Sequence, residues 1–287
     1  MILIAMDSIG KLVNFGIYCL TDFWTDNADP RTADLPLLTG GPIPILSIQV
    51  AYLLFVYFIG PRVMMDRKPL EIRPLMLLFN AFMLSINGAG FMFGLLASDF
   101  GRRLWSCKKI DAKDEDFKET LLVYLGYFYL WSRLFDMIDT VFFIVRKKYN
   151  HVSFLHVFHH GIVPLIAYMG LKLHPGGNAG YLPMTNVFIH TIMYSYYAMA
   201  CMGPEMAQYI WWKKHLTQLQ LVQFATVFSH ALYSFFTPGC EFPAILSLAE
   251  MVISGTFFVL FLKFYRDTYF AKIPNKELNN NKTLKMH

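Results

Sequence analysis

Seven apolar stretches, near residues 42–60, 73–97, 119–145, 154–172, 183–202, 216–236 and 243–265, are each long enough to cross roughly 30 Å of hydrocarbon at about 1.5 Å per residue. In lipid every backbone polar group needs an internal partner, so segments of this length can cross only as helices. Composition agrees, with 55% hydrophobic and 16% charged residues and a mean hydropathy of +0.40. The expected fold is all-α, a polytopic membrane protein with seven transmembrane helices. Pro61, Pro74, Pro175, Pro183, Pro204, Pro238 and Pro243 stand at or near the boundaries, where helices begin or end. The weakly apolar segment at about 11–24 reads as an interfacial helix. There is no internal repeat and no low-complexity linker, so residues 1–271 are expected to form a single membrane domain. The polar tail 272–287 is expected to be disordered and cytosolic. Residues 1–20 lack the features of a cleaved signal peptide.

Short loops rich in Lys and Arg remain cytosolic. Arg62, Arg67, Lys68 and Arg73 flank the first loop, Arg146, Lys147 and Lys148 follow span three, and Lys213 and Lys214 follow span five. Lys263, Arg266, Lys272, Lys276, Lys282 and Lys285 add charge toward the C-terminus. With seven spans these clusters share one side, which places the N-terminus in the lumen and the C-terminus in the cytosol. The loop after span two is the ambiguous one, because Arg102, Arg103, Lys108, Lys109, Lys113 and Lys118 are balanced by Asp99, Asp111, Asp114, Glu115, Asp116 and Glu119. Asn281-Lys282-Thr283 has the form of a glycosylation sequon but faces the cytosol in this topology. Charge gathered between apolar runs follows membrane topology, and no nucleic-acid partner is expected. Cys107 and Cys240 fall on the non-cytosolic side, where they form either a disulfide or two free buried thiols.

Three polar faces interrupt the apolar spans. His156, His159 and His160 lie on one face within a helical turn, at about 0°, 300° and 40°. Arg133, Asp136, Asp139 and Thr140 share an arc of about 120° on span three, and Asn186, His190, Tyr194 and Tyr197 share one of about 80° on span five. Thr217, Gln220 and Gln223 recur at three-residue spacing on span six, suited to a polar ligand or to helix-helix hydrogen bonds. Asn80, Asn87, His230 and Glu250 read equally well as interhelical packing or a water-lined cavity. Ionisable groups at membrane depth are functional candidates. Together they describe a polar chamber open to the cytosol, with an apolar tunnel beyond it. Bland alternatives accompany each: an Arg133–Asp136 pair that neutralises itself, a packed core His190, and basic loops that only set topology.

The chain resembles the fatty-acid elongase (ELO) family. The resemblance rests on Ser132-Arg133-Leu134-Phe135-Asp136-Met137-Ile138-Asp139-Thr140, on Arg146-Lys147-Lys148, and on the run from Val152 to His160 that contains His156-Val157-Phe158-His159-His160. It continues through Asn186 to Tyr197 and Thr217 to Phe224. Arg133 stands where the family commonly has Lys, and Lys282 and Lys285 make an imperfect dilysine retrieval signal. The resemblance implies a very-long-chain 3-oxoacyl-CoA synthase of the endoplasmic reticulum, condensing a long-chain acyl-CoA with malonyl-CoA. Neutral imidazole can attack a thioester or act as a base near pH 7, so His159 is expected to accept the acyl group and His190 to assist the second half-reaction, with His156 and His160 shuttling protons or holding tautomers and Asp136 and Asp139 orienting them. Asn186 and Tyr194 would stabilise negative charge, and Arg146, Lys147, Lys148, Lys213 and Lys214 would meet the CoA phosphates. Tyr197, Thr217, Gln220, Gln223 and Arg133 complete the expected substrate contacts. No cofactor and no metal are expected. Expected partners are the two CoA esters, the lipid bilayer, a second copy of the chain and other elongation-cycle enzymes.

Two other classes share features with this sequence. Membrane di-iron desaturases and hydroxylases carry the same three-residue histidine spacing, but need about eight histidine ligands. Here one box stands with His190 and His230 as the further intramembrane imidazoles. A seven-span receptor matches the number of spans but has no use for the box.

Overall fold

The computed structural model describes residues 2–108 and 116–270 of the chain. The tail 272–287, with its basic residues and sequon, and the loop charges Lys109, Asp111, Lys113, Asp114 and Glu115 lie outside the described residues. Every regular element described is helical. In chain order these are α1 (Ile2–Leu20), α2 (Asp22–Asp26), α3 (Ile43–Leu54), α4 (Gly60–Met64), α5 (Arg73–Ala97), α6 (Phe117–Phe135), α7 (Met137–Val145), α8 (Phe154–Leu173), α9 (Tyr181–Met202), α10 (Lys213–Phe236) and α11 (Ala244–Tyr269).

Four helical segments are long and apolar enough to cross a membrane: Ile43–Met64, Arg73–Ala97, Phe154–Leu173 and Ala244–Tyr269. The chain is thus a multi-pass membrane protein. The other three expected spans are helical too, as α6 with α7, α9 and α10, but they carry Arg133, Asp136, His190, Gln220 and Gln223 and are correspondingly less apolar.

Two boundaries differ from the sequence reading. The first apolar stretch runs on through Pro61 to Met64 because the chain widens into a π turn at Phe55–Ile59. A π turn accommodates the proline, which has no N–H to give and a ring that crowds a regular α turn. Gly60 then lies against α7, where an added Cβ would come within 2.9 Å of Ile144 Cγ2. The stretch 119–145 is two helices rather than one. They meet at Asp136, where the Asp139 N–H reaches back three residues to the Asp136 carbonyl at 3.1 Å.

α5 packs along α9, α10 along α11, and α6 against α5 and α8. One apolar cluster joins Leu130 of α6, Ala167 and Leu171 of α8 and Val187 of α9. Another joins Tyr52, Val56 and Met64 to Met137 and Ile144 of α7 and Val157 of α8. Arg133 and Asp136 fall in sequence between Leu130 of the first cluster and Met137 of the second.

The loops that follow α5 and α10 are tied together by a disulfide between Cys107 and Cys240, 133 residues apart. Just before it, a turn at Arg102–Trp105 is anchored by His230, whose Nε2–H donates to Leu104 O at 2.8 Å. Arg103 bonds Asp99 at 2.7 Å, Asp116 at 2.8 Å and Glu119, while Lys118 bonds Asp99 from the other side. Lys118 first and Arg103 second hold the Asp99 carboxyl down to about 2. Asp116 is lowered by the Lys118 backbone N–H and then by Arg103. Both acids are therefore more readily ionised folded than unfolded, so the cluster stabilises the loop above pH 4 or so and loses that effect as the pH falls. The thermal midpoint of the wild type should exceed that of Arg103→Met at neutral pH, with the gap closing between about pH 4 and about pH 2. A gap constant across that window would remove the cluster's role; because the pairs are partly exposed, it should also shrink in high salt.

Candidate active site

The site begins at the capped end of α8. Ser153 Oγ accepts the His156 N–H at 3.3 Å, which fixes the first turn and with it the direction of all three imidazoles. His156 Nε2 lies 2.9 Å from Thr140 Oγ1 of α7, and that hydroxyl is 3.0 Å from Tyr52 OH of α3. His160 packs against His156 with ring centroids 4.2 Å apart. His159 points elsewhere, toward His190 of α9 at 6.3 Å with rings inclined by only 21°, and toward Phe257 of α11 at 5.1 Å. Among the described residues no hydrogen-bond partner meets the His159 ring nitrogens.

Beside the histidines lies a buried ion-pair network. Arg133 is 1% exposed and Asp136 2%, so neither charge is solvated by bulk water. Arg133 Nη1 donates to Asn186 Oδ1 at 2.7 Å and lies 3.1 Å from Asp136 Oδ2. Its Nη2 donates to Asn87 Oδ1 at 2.6 Å and to Ser132 Oγ at 3.2 Å, and the guanidinium sits over the Tyr129 ring. Burying an ion pair costs several kcal/mol per charge and is tolerated when the remaining donors and acceptors are filled. Here they are filled from three helices.

The Tyr194 hydroxyl lies between the two carboxylates, 2.7 Å from Asp136 Oδ1 and 2.8 Å from Asp139 Oδ2. His190 Nδ1–H donates to Asn186 O at 2.9 Å, one turn back, which leaves Nε2 facing Asp136 Oδ2 at 3.4 Å. A proton arriving on Nε2 would be held by that carboxylate. Asp136 and Asp139 thus serve α9, whereas the sequence reading had them orienting His156 and His160. The reason is the break at Asp136, which turns the two carboxylates toward Tyr194 and leaves Thr140 to meet the histidine box. Asn186 Oδ1 is occupied by Arg133 and by Tyr129 OH at 3.2 Å, so its Nδ2–H₂ is the end of the amide left to donate.

Other expected contacts fall at the edge. Tyr197 packs edge-on against Tyr194 at 5.8 Å. Thr217 and Gln223 are buried on α10; the Thr217 hydroxyl bonds its own helix at Lys213 O, and the side-chain amides of Gln220 and Gln223 have no hydrogen-bond partner among the described residues. At the end where α7 meets α8, the His151 ring stacks on Phe143 at 5.1 Å. Burial first, and then the charges of Lys213, Lys148 and Arg146, hold His151 below its ordinary pKa. Arg146 Nη1 also reaches Met76 Sδ at 3.2 Å. Lys147 instead donates to Met65 O at 3.1 Å, and Lys214 covers the Phe270 ring at 4.7 Å. Among the described residues no group of three or more His, Cys, Asp or Glu side chains is arranged to hold a metal ion.

Beyond the Arg133 network, away from the histidine box, lies an apolar cavity of about 80 Å³. Gly90, Gly94 and Gly126 help to line it, and side chains there would consume the space: a Cβ on Gly94 would sit 2.8 Å from Met184 Sδ. No histidine lines it. Tyr129 forms part of its wall and of the Arg133 network alike, and Glu250 of α11 also lines it.

Residues 37–277 match the family model described as GNS1/SUR4, ELO. Very long chain fatty acid elongase 1 of Mus musculus is 38% identical over 247 residues, covering 85% of this chain and 87% of the relative. Elongase 4 of the same species is 40% identical over 246 residues, 86% of this chain and 77% of the relative. Very long chain fatty acid elongase 7 of Drosophila melanogaster is 34% identical over 248 residues, 86% and 75%. With the match running through the histidine box, the Arg133 network and the α9 face together, the chain belongs to the ELO (GNS1/SUR4) family.

Proposed function

We propose that the chain is the condensing enzyme of very-long-chain fatty-acid elongation, a 3-oxoacyl-CoA synthase. It would act as a single seven-span domain in the endoplasmic reticulum membrane, N-terminus lumenal and C-terminus cytosolic. The observation that carries the reading is His159, an imidazole without a hydrogen-bond partner among the described residues, whose ring faces that of His190 at 6.3 Å.

In the proposed first half-reaction, a His159 ring nitrogen attacks the acyl thioester. The N–C bond forms, the C–S bond breaks, and CoA leaves as thiolate and takes up a proton. Malonyl-CoA then loses CO2 to give the enolate of acetyl-CoA, whose carbon attacks the acyl-imidazole and releases free His159 and a 3-oxoacyl-CoA two carbons longer. Asn186 Nδ2–H₂ is the donor suited to the developing oxyanion, since Tyr194 is committed to two carboxylates. His190, held by Asn186 O and Asp136, is placed to receive or return a proton at Nε2. His156 is fixed by Thr140 and packs on His160 as a shuttle. Arg146, Lys148 and Lys213 suit CoA phosphates, and the cavity lined by Gly90, Gly94 and Gly126 suits the acyl tail. The chemistry needs no cofactor. Further proposed partners are a second copy of the chain and other elongation-cycle enzymes.

Purified protein given acyl-CoA alone should release one equivalent of CoA and carry the acyl mass on the peptide containing His159. No release without malonyl-CoA would replace this route with a sequential one in which histidine acts as a base.

A further inference from the structure

The mechanism leaves several ionisable groups within the spans unused, Glu250, His230 and Lys172 among them. Glu250 lines the apolar cavity, and its carboxyl has no hydrogen-bond or ionic partner among the described residues. The cavity is otherwise walled by aliphatic and aromatic side chains, glycines and prolines, with Tyr129 the other polar side chain in the wall and its hydroxyl already given to Asn186. Among the described side chains that line the cavity, the Glu250 carboxyl is therefore the hydrogen-bonding group left vacant for an occupant.

Its depth is set by α11. Phe257 packs on His159, and Glu250 lies seven residues earlier, which at helical pitch is the same face and about 10 Å farther along the axis. An acyl chain whose carbonyl sits at His159 and whose tail enters the cavity would pass Glu250 along its distal part. A polar group facing only methylenes goes unpaired, and a site of this kind discriminates for a ligand that fills the missing hydrogen bond.

We propose that Glu250 is a specificity-determining residue for acyl-CoA substrates bearing a hydroxyl group on the distal part of the chain. The inference rests on the reading of the cavity as the acyl-tail site. It adds a substrate class to that reading.

The test compares stearoyl-CoA with its mid-chain and terminal hydroxy analogues, each with labelled malonyl-CoA, on wild type, Glu250→Gln and Glu250→Leu in lipid nanodiscs. The ratio of kcat/KM for the better hydroxy analogue over stearoyl-CoA should fall about tenfold or more in Glu250→Leu and be largely kept in Glu250→Gln, which still offers hydrogen bonds. A ratio unchanged in Glu250→Leu, or longer products from every substrate alike, would overturn the proposal in favour of a plain steric or polar stop. A second measurement does not depend on turnover. Dicyclohexylcarbodiimide, an apolar carboxyl reagent, should add its mass to the Glu250 peptide, and the hydroxy analogue should protect that peptide better than stearoyl-CoA. Equal protection by the two overturns the hydroxyl preference but keeps the tail site. No protection by either, with all variants unable to elongate stearoyl-CoA, counts against the tail site itself.

Discussion

Replacing His159 by alanine is expected to lower kcat by about a thousandfold or more while leaving the thermal midpoint close to that of the wild type. The first half follows from the proposed role, because loss of a nucleophile removes the covalent route and leaves only binding and orientation to assist the reaction. The second half follows from the packing. His159 has no hydrogen-bond partner among the described residues, so its removal orphans no buried donor or acceptor, and the ring contacts to Phe257 and His190 are modest. KM should change little if acyl-CoA is held by Arg146, Lys148, Lys213 and the apolar cavity. Steady-state kinetics with a thermal melt in the same lipid would check both halves. A variant that retains a tenth of wild-type turnover would end the acyl-imidazole scheme, and a collapsed melt would show a structural role instead.

Arg133→Met is expected to act in the opposite way, through the fold first. Without the guanidinium, the Asp136 carboxylate at 2% exposure loses its cation, and Asn87 Oδ1 loses its donor. Breaking a buried pair by removing one partner costs about 3–5 kcal/mol. Activity should fall with it, because Asn186 and Asp136 position His190. Arg133→Lys is the informative companion: one ammonium carries the charge but cannot reach Asn87, Asn186 and Asp136 together as the planar guanidinium does. It should recover part of the stability lost by the methionine variant. Denaturation midpoints of the three proteins would decide this, and a methionine variant as stable as wild type would mean that the network is replaceable by packing.

The polar faces could be read from spacing alone. Arg133, Asp136, Asp139 and Thr140 recur on one side of one helix, as do Asn186, His190 and Tyr194, and period is a property that sequence displays. How the faces are shared out is a tertiary fact. Tyr52 reaches Thr140 from a helix where Gln49, one turn before it, is the polar residue that shares its buried face. Asn87 was visible as a polar residue in an apolar span, yet only the packing of α5 against α6 brings it to Arg133. The pairing of the carboxylates with Tyr194 depends on the break at Asp136, a local departure from helical hydrogen bonding that an unbroken apolar stretch does not announce. Glu250 was equally visible, and its significance lies in a cavity assembled from α5, α6, α8, α9 and the loop before α9.

The Cys107–Cys240 bridge has a consequence for the integrity of the molecule. Arg133, Asp136, Asp139, all three box histidines, Asn186, His190 and Tyr194 lie between the two cysteines in sequence, so the disulfide closes a covalent ring around the proposed catalytic residues. One peptide cut in the segment between α7 and α8, or in that between α9 and α10, opens the ring without dividing the chain. Both sides of such a cut stay joined through sulfur, and the helices keep one another as neighbours in the membrane. The proposed chemistry is thus carried on a part of the polypeptide that a single backbone break does not release.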